Sequence, residues 1–317
     1  MRVLFVQQDH VSSLGHVGEG FARRGFDIET FQVVPAARFA VPDVAVQFPD
    51  PLNYDAVVPL GAPWSVYDDA TIGTWIGDEL RFLRSAHDGG VPVLGICFGG
   101  QALAAALGGE VELSPMPELG WTTVESAEPD LVAPGPWFQL HQDRWRLPPG
   151  ARELAKTAVA SQAFLLGRSL GLQFHPELTP DILQAWIDSG DRDYLLAHGV
   201  DPDALMVRTR ADVDVARERA VQLVSRFLDR VATATVEAAH PALRLLRWLE
   251  RRRVVLARRA FDVRQYRVVG DAGFCCRGWR DYGSVFGIGV PRGHGPFERA
   301  GRGLSQVREC AIEAVFE

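Results

Sequence analysis

A single cysteine between glycines constrains the fold of this chain more than any other feature. Residues 93–101 read VLGICFGGQ, an apolar run that breaks at Cys97 and continues into small residues typical of a helix. Gly-x-Cys-x-Gly is a cysteine version of the nucleophile elbow, a strand-to-helix turn whose flanking glycines leave room for neighbouring backbone. The segment therefore predicts a thiol at the carboxyl edge of a sheet. The first N–H groups of the following helix favour negative charge at the same place.

A second motif lies downstream, where residues 170–177 read LGLQFHPE. In an extended chain residues i and i+2 face the same side, so His175 and Glu177 project together. A thiol nucleophile needs a base, and the base needs a group that orients it. Cys97, His175 and Glu177 supply these three roles for acyl transfer. Either motif alone also fits a core cysteine or a surface turn, but their order and spacing together favour a catalytic triad.

Hydrophobic periodicity predicts alternating strands and helices, followed by a β-rich stretch and closing helices. Strands are predicted at 2–7, 26–34, 54–60, 91–96, 121–124, 137–141, 163–166 and 171–174, and helices at 14–24, 70–88, 99–107, 180–189 and 212–231. Alternation with a reactive group at a carboxyl edge indicates an open, mostly parallel α/β sheet. Residues 189–208 are expected to form an insertion with a solvated His198. Asp9 and His10, which follow the first strand at the same edge of the sheet as Cys97, are expected to form a polar loop, with lining of the substrate mouth as the alternative.

The two motifs resemble those of the class I glutamine amidotransferases, in particular domains similar to the amidotransferase part of GMP synthase. The resemblance covers roughly residues 1–232 and includes residues 59–68, PLGAPWSVYD, which look like the family's oxyanion loop. It implies a flavodoxin-like sheet with helices on both faces. It also implies that Gly61 and Phe98 lend backbone N–H groups to an oxyanion and that Gln101 helps to hold glutamine. Asp143 fits the position that often binds the amino-acid end of glutamine in the family. Its neighbour Gln142 occupies a position where family members often have glycine.

The resemblance implies hydrolysis of glutamine to glutamate and ammonia through a glutamyl thioester, without a metal or organic cofactor. The chain lacks the SGGxDS segment of an ATP pyrophosphatase. Ammonia is therefore expected to pass to a separate synthetase subunit. Two alternatives stay open: a free-standing γ-glutamyl hydrolase that acts on a glutamine conjugate, and a catalytically idle binding or regulatory protein. An α/β-hydrolase with a cysteine elbow is less favoured, because its histidine need not precede Pro-Glu.

Composition suggests an enzyme of the cytoplasm. The four cysteines among 317 residues form no spaced disulfide framework, and a catalytic thiol requires a reducing compartment. No apolar stretch approaches the length of a membrane span, and a strand that begins at Arg2 leaves no room for a signal peptide. The net charge of −7 argues against nucleic acid as the main partner.

Charge also suggests a domain boundary. Residues 236–317 contain 15 arginines and nine acidic residues, whereas the preceding residues are strongly acidic. We therefore expect an amidotransferase-like domain at 1–235 and an arginine-rich extension at 236–317, in which residues 241–261 are compatible with a solvated basic helix.

Overall fold

The computed structural model describes residues 1–233. The arginine-rich extension, with its helix-compatible stretch and Cys275, Cys276 and Cys310, lies outside the described residues. The domain boundary therefore remains a prediction.

The described residues form a nine-stranded sheet. Its strands are β1 (Arg2–Gln7), β2 (Asp27–Gln32), β3 (Ala56–Pro59), β4 (Val93–Ile96), β5 (Glu110–Ser126), β6 (Gly135–Arg146), β7 (Arg152–Lys156), β8 (Ser161–Leu166) and β9 (Ser169–Leu172). The strand order is β2-β1-β3-β4-β9-β8-β7-β5-β6. The first five strands in this order pair in parallel, and β8, β7, β5 and β6 extend the sheet with antiparallel pairs.

Helices cover both faces of the parallel part. The α-helices of the described residues are α1 (Gly15–Arg23), α2 (Asp69–Asp88), α3 (Phe98–Ala106), α4 (Pro180–Trp186), α5 (Arg192–Ala197) and α6 (Pro202–Arg226). Of these, α4 and α5 pack in a separate cluster with side chains of β5 and β6. In β1, Val3 and Phe5 pack into the cluster beneath α1 and α6, and Leu4 and Val6 pack into the cluster beneath α2 and α3. A central parallel strand is buried on both faces, so its sequence reads as a continuous apolar run. The prediction of an α/β sheet with helices on both faces is confirmed, and the sheet is mixed, with parallel pairing in its central part.

Several strands differ from the prediction: β5, β6 and β8 are longer than predicted, and β7 was not predicted. β5 extends over residues 110–126, and its register against β6 shifts between Leu113 and Glu118. Pro115 and Pro117 lie in that irregular segment. The first part of β5 was not predicted because these prolines interrupt the alternation of apolar and polar residues that is typical of a strand. The expected strand at 121–124 is only its carboxyl-terminal part.

The closing helix also begins earlier than predicted. α6 starts at Pro202, where the Asp201 side chain accepts hydrogen bonds from the N–H groups of Asp203 and Ala204. The expected insertion at 189–208 is therefore largely helical, since α5 occupies its middle and α6 its end. His198 is exposed, as expected. Among the described residues, no helix has the length and apolarity needed to cross a membrane.

Candidate active site

Cys97 occupies the turn between β4 and α3 in a conformation that side chains rarely adopt. Its φ is 49° and its ψ is −111°, and it is the one non-glycine residue with positive φ in residues 1–233. The Cys97 N–H donates to the Leu172 carbonyl oxygen at 2.8 Å, which ties the turn to β9. Strain of this kind persists where the surrounding structure enforces it, and it is common at catalytic nucleophiles.

The flanking glycines are required by backbone contacts. A Cβ atom at Gly95 would lie 2.6 Å from the Gly99 oxygen, and one at Gly99 would lie 2.2 Å from the Pro59 oxygen. The Gly99 N–H also donates to the Leu60 oxygen at 2.9 Å. The start of α3 is thereby fixed against the end of β3 and the loop that contains Gly61.

His175 and Glu177 form the second half of the site, in the turn that follows β9. The His175 Nδ1 and Glu177 Oε1 atoms are 2.7 Å apart, and both side chains are buried. The Phe138 oxygen accepts from the His175 N–H at 2.9 Å, and the Trp186 ring meets the imidazole edge to face at 4.9 Å. These contacts fix the ring orientation.

Charge around the imidazole favours its protonated form. Burial lowers the pKa of His175, but the Glu177 carboxylate and the charge of Cys97 outweigh burial and hold the pKa well above its ordinary value. The Nε2 atom makes no hydrogen bond of regular geometry with a described residue. Because Nδ1 faces Glu177, Nε2 is the nitrogen available for proton exchange with the thiol or a substrate.

Gly61 lies against both reactive side chains. A Cβ atom at this position would be 3.7 Å from the Cys97 Cβ and 3.1 Å from the His175 Cε1. The Phe98 side chain, in contrast, is buried in the core near Trp75, so its contribution to the site is restricted to its backbone. Gly61 and the Phe98 backbone thus flank Cys97, and their role as oxyanion donors stays a prediction from the family resemblance.

A cavity of about 260 Å³ opens over Cys97. Gly61, Cys97, Gln101, Asp143 and His175 line it, whereas Glu177 lies behind the imidazole. Gln142 lines the cavity too, although its side chain is largely exposed. No group of three or more His, Cys, Asp or Glu side chains suited to a metal ion occurs within residues 1–233.

Asp143 and Gln101 are tied to neighbouring groups. The Ser65 hydroxyl donates to the Asp143 Oδ2, and the Tyr67 hydroxyl donates to the Asp143 Oδ1 at 2.8 Å. The Gln101 Nε2 donates to the Asp143 backbone oxygen and to the Gln173 Oε1, both at 3.3 Å. Sequence reasoning missed Ser65 and Tyr67 as site residues, although both lie inside the oxyanion-loop motif.

The wall of the cavity also contains two acidic residues, Asp9 and Asp191, of which sequence reasoning pointed only to Asp9. Asp9, expected in a polar loop, is buried and lines the cavity while its Oδ1 accepts from the N–H groups of Val11 and Ser12. Burial raises its pKa, and these hydrogen bonds oppose the rise. Asp191, from the expected insertion, lines the same cavity. Burial raises the pKa of Asp191 to about 6, although the nearby His175 charge lowers it.

The site agrees with a comparison against known families. Residues 22–185, which include every predicted site residue, match the family described as glutamine amidotransferase class-I. The chain belongs to this family. The resemblance seen in the motifs is thereby confirmed, and the family is one of glutamine amidotransferases with a cysteine nucleophile.

Curated relatives point to the same group. The chain is 33% identical over 135 residues to a protein of Sulfolobus acidocaldarius named as one subunit of glutamine-hydrolyzing GMP synthase, covering 40% of this chain and 69% of the relative. It is 41% identical over 112 residues to the glutamine-hydrolyzing GMP synthase of Aeropyrum pernix, covering 31% of this chain and 22% of the relative. The match thus spans less than a quarter of the length of the second protein.

Solved structures support the fold. A glutamine amidotransferase from Thermotoga maritima has a TM-score of 0.63 at 24% identity, covering 72% of this chain and 98% of that one. A glutamine amidotransferase from Methylobacillus flagellatus has a TM-score of 0.62 at 22% identity, covering 72% of this chain and 94% of that one. At this identity the likeness concerns the α/β fold alone.

Proposed function

We propose that this protein hydrolyses the side-chain amide of glutamine to glutamate and ammonia, with Cys97, His175 and Glu177 as its catalytic triad. One observation carries the proposal. The strained Cys97 turn, Gly61 and the His175–Glu177 pair meet at one cavity, where the local charge favours a protonated imidazole. A thiolate beside a protonated, oriented imidazole is the arrangement that acyl transfer needs.

The first half of the reaction makes a thioester. The Cys97 thiolate attacks the δ-carbonyl carbon of glutamine, and the backbone N–H groups of Gly61 and Phe98 bind the resulting oxyanion. His175 donates its Nε2 proton to the departing nitrogen, so the C–N bond breaks and ammonia leaves. Glu177 holds the imidazole through Nδ1 and stabilises its positive charge.

The second half restores the enzyme. His175, now neutral, takes a proton from water as the water oxygen attacks the thioester carbon. The C–S bond breaks, the thiolate leaves, and glutamate is released with the imidazole protonated again. Gln101 and Asp143 line the same cavity, and we assign to them the binding of the amino-acid end of the substrate.

We further propose that the ammonia passes to a separate synthetase subunit in the cytoplasm. The Sulfolobus acidocaldarius relative, whose name makes it one subunit of GMP synthase, supports a divided enzyme. A thiolate nucleophile requires Cys97 to stay reduced, which favours a reducing compartment.

Glutamate release from glutamine, measured with the purified full chain, tests the proposal. Cys97→Ala and Cys97→Ser should abolish turnover without lowering the melting temperature by more than a few degrees. His175→Ala should lower the turnover rate by a comparable factor. Glu177→Gln should lower it less, because an amide oxygen still accepts a hydrogen bond from the imidazole but stabilises the imidazolium cation poorly.

A panel of γ-glutamyl amides in the same assay separates glutaminase from γ-glutamyl hydrolase. Near-normal turnover by Cys97→Ala would exclude the triad. Equal, negligible losses at His175 and Glu177 would indicate a different base. Turnover of a conjugate without any turnover of glutamine would establish the hydrolase instead.

A further inference from the structure

Gln173 is a fully buried amide whose side chain reaches the proposed nucleophile. It directly follows β9, and its exposed fraction is 0%. Its Nε2 atom lies 3.8 Å from the Cys97 Sγ, within the range for a hydrogen bond to sulfur. Its backbone N–H donates to the Gln162 oxygen at 2.9 Å, which fixes the position of the residue.

Neighbouring groups determine which end of this amide faces the sulfur. A backbone carbonyl oxygen can only accept a hydrogen bond. The group of Gln101 that faces the Asp143 backbone oxygen must therefore be the nitrogen end of its amide. The same nitrogen lies 3.3 Å from the Gln173 Oε1, so the oxygen end of Gln173 faces Gln101. The remaining nitrogen of Gln173 therefore faces Cys97. One acceptor-only group thus fixes the orientation of both amides.

The sulfur also interacts with the charged His175 imidazole, which is present in every variant compared below, and it has a polar neighbour of opposite character to Gln173. The Leu140 carbonyl oxygen lies 4.0 Å from the Cys97 Sγ and is suited to accept from a neutral thiol. It cannot donate to a thiolate, whereas the Gln173 N–H group can. The two neighbours therefore favour different protonation states of the same sulfur, and Gln173 favours the charged one.

We propose that Gln173 is a further catalytic residue, which donates a hydrogen bond to the Cys97 sulfur when the sulfur is negatively charged. This occurs before attack and again when the thioester breaks. Gln101 acts as a positioning residue that holds the Gln173 amide in the donating orientation. The inference rests on the proposed function insofar as Cys97 is the nucleophile.

The pH dependence of Cys97 alkylation by iodoacetamide tests this role without any substrate. The rate is followed on the Cys97 peptide by mass spectrometry, in the full-length wild type and in Gln173→Met and Gln173→Glu. Loss of one donor to a charged sulfur should move the midpoint of the profile up by about one pH unit in Gln173→Met. Gln173→Glu should move it further, because it adds negative charge beside the sulfur.

Gln139→Met is the matched control. Gln139 is equally buried and donates to the Gln162 Oε1 at 2.9 Å, in the same polar interior. Its loss removes a buried hydrogen bond without removing a donor to sulfur, so the melting temperature should fall while the alkylation midpoint stays at the wild-type value.

A Gln173→Met profile that overlaps the wild-type profile would overturn the proposal. If the Gln173 variants do not fold, NMR of the wild type decides: the Gln173 side-chain amide protons should shift with the alkylation midpoint, and this response should vanish in Cys97→Ala. Amide protons that do not respond to pH in the wild type would also overturn it. A shifted midpoint in a protein that does not hydrolyse glutamine would keep this inference and refute the proposed function.

Discussion

Glu79, on α2, is a carboxyl group whose exposed fraction is 0% and which lies outside the active site. The Gln8 Nε2 donates to its Oε1 at 2.7 Å, while the Glu79 Oε2 and the Gln8 Oε1 lack partners among the described residues. A proton on Oε2 would supply a donor for the Gln8 oxygen and close a cyclic acid–amide pair. Burial raises the pKa of Glu79 from 4.5 to about 7, and the Gln8 hydrogen bond only partly opposes this.

The folded state therefore holds a proton at Glu79 that the unfolded chain loses at lower pH. The contribution of this bound proton to the free energy of unfolding is fully present below about pH 4.5, and it is lost as the pH rises to about 7. The accumulated loss is of the order of 3 kcal/mol. Glu79→Gln keeps a neutral amide pair, so its free energy of unfolding relative to wild type should rise from pH 5 to pH 8. Urea titrations at these pH values measure the difference, and a constant difference would contradict a neutral Glu79.

At the scale of elements, the amino terminus of α1 supports the turn that carries Glu177. The His16 N–H donates to the Glu177 backbone oxygen at 3.1 Å. Gly15 precedes it with φ of +44°, and a Cβ there would lie 1.8 Å from the same oxygen. The close approach requires glycine, and it makes α1 part of the scaffold of the site.

Gly15→Ala should therefore displace the Glu177 turn and lower glutaminase kcat at least tenfold. Gly25→Ala is the matched control, since Gly25 has φ of +74° but no atom within 4 Å of the added Cβ. Gly25→Ala should cost about 1 kcal/mol of stability and leave kcat unchanged. Comparable kcat values for the two variants would show that the α1 contact does not position Glu177.

At the scale of the whole molecule, α6 and the π-helical turn after it complete the core of the described domain. Leu223, Val224, Phe227 and Val231 pack in the cluster that also contains the β1 side chains Val3 and Phe5. Every proposed catalytic residue precedes this helix. A protein that ends at Ala234 should therefore fold and retain the glutaminase activity of the full chain. Circular dichroism and the glutaminase assay check this, and an insoluble or inactive truncated protein would place the domain boundary further along the chain.

The features of this molecule that could be predicted are those that depend on residues close together in the sequence. The Cys97 elbow and the His175–Glu177 pair follow from neighbours in sequence, because turn geometry and strand alternation act over a few residues. Asp9 follows β1 at the same edge of the sheet as Cys97, so its place near the cavity could be anticipated, whereas Asp191 reaches the cavity through tertiary packing that no local pattern records. The full length of β5 was missed because Pro115 and Pro117 interrupt its alternation while β6 still pairs on either side of them.

Labelling with the glutamine analogue 6-diazo-5-oxonorleucine tests the central claim most directly, because the reagent alkylates a nucleophile only where it binds as glutamine does. The full chain contains four cysteines, which mass spectrometry of tryptic peptides distinguishes where cleavage separates them. Labelling should occur at Cys97 alone, should stop when excess glutamine is present, and should disappear in Cys97→Ser. Labelling elsewhere that glutamine does not prevent, or an unlabelled Cys97, would contradict a glutamine site at this cysteine.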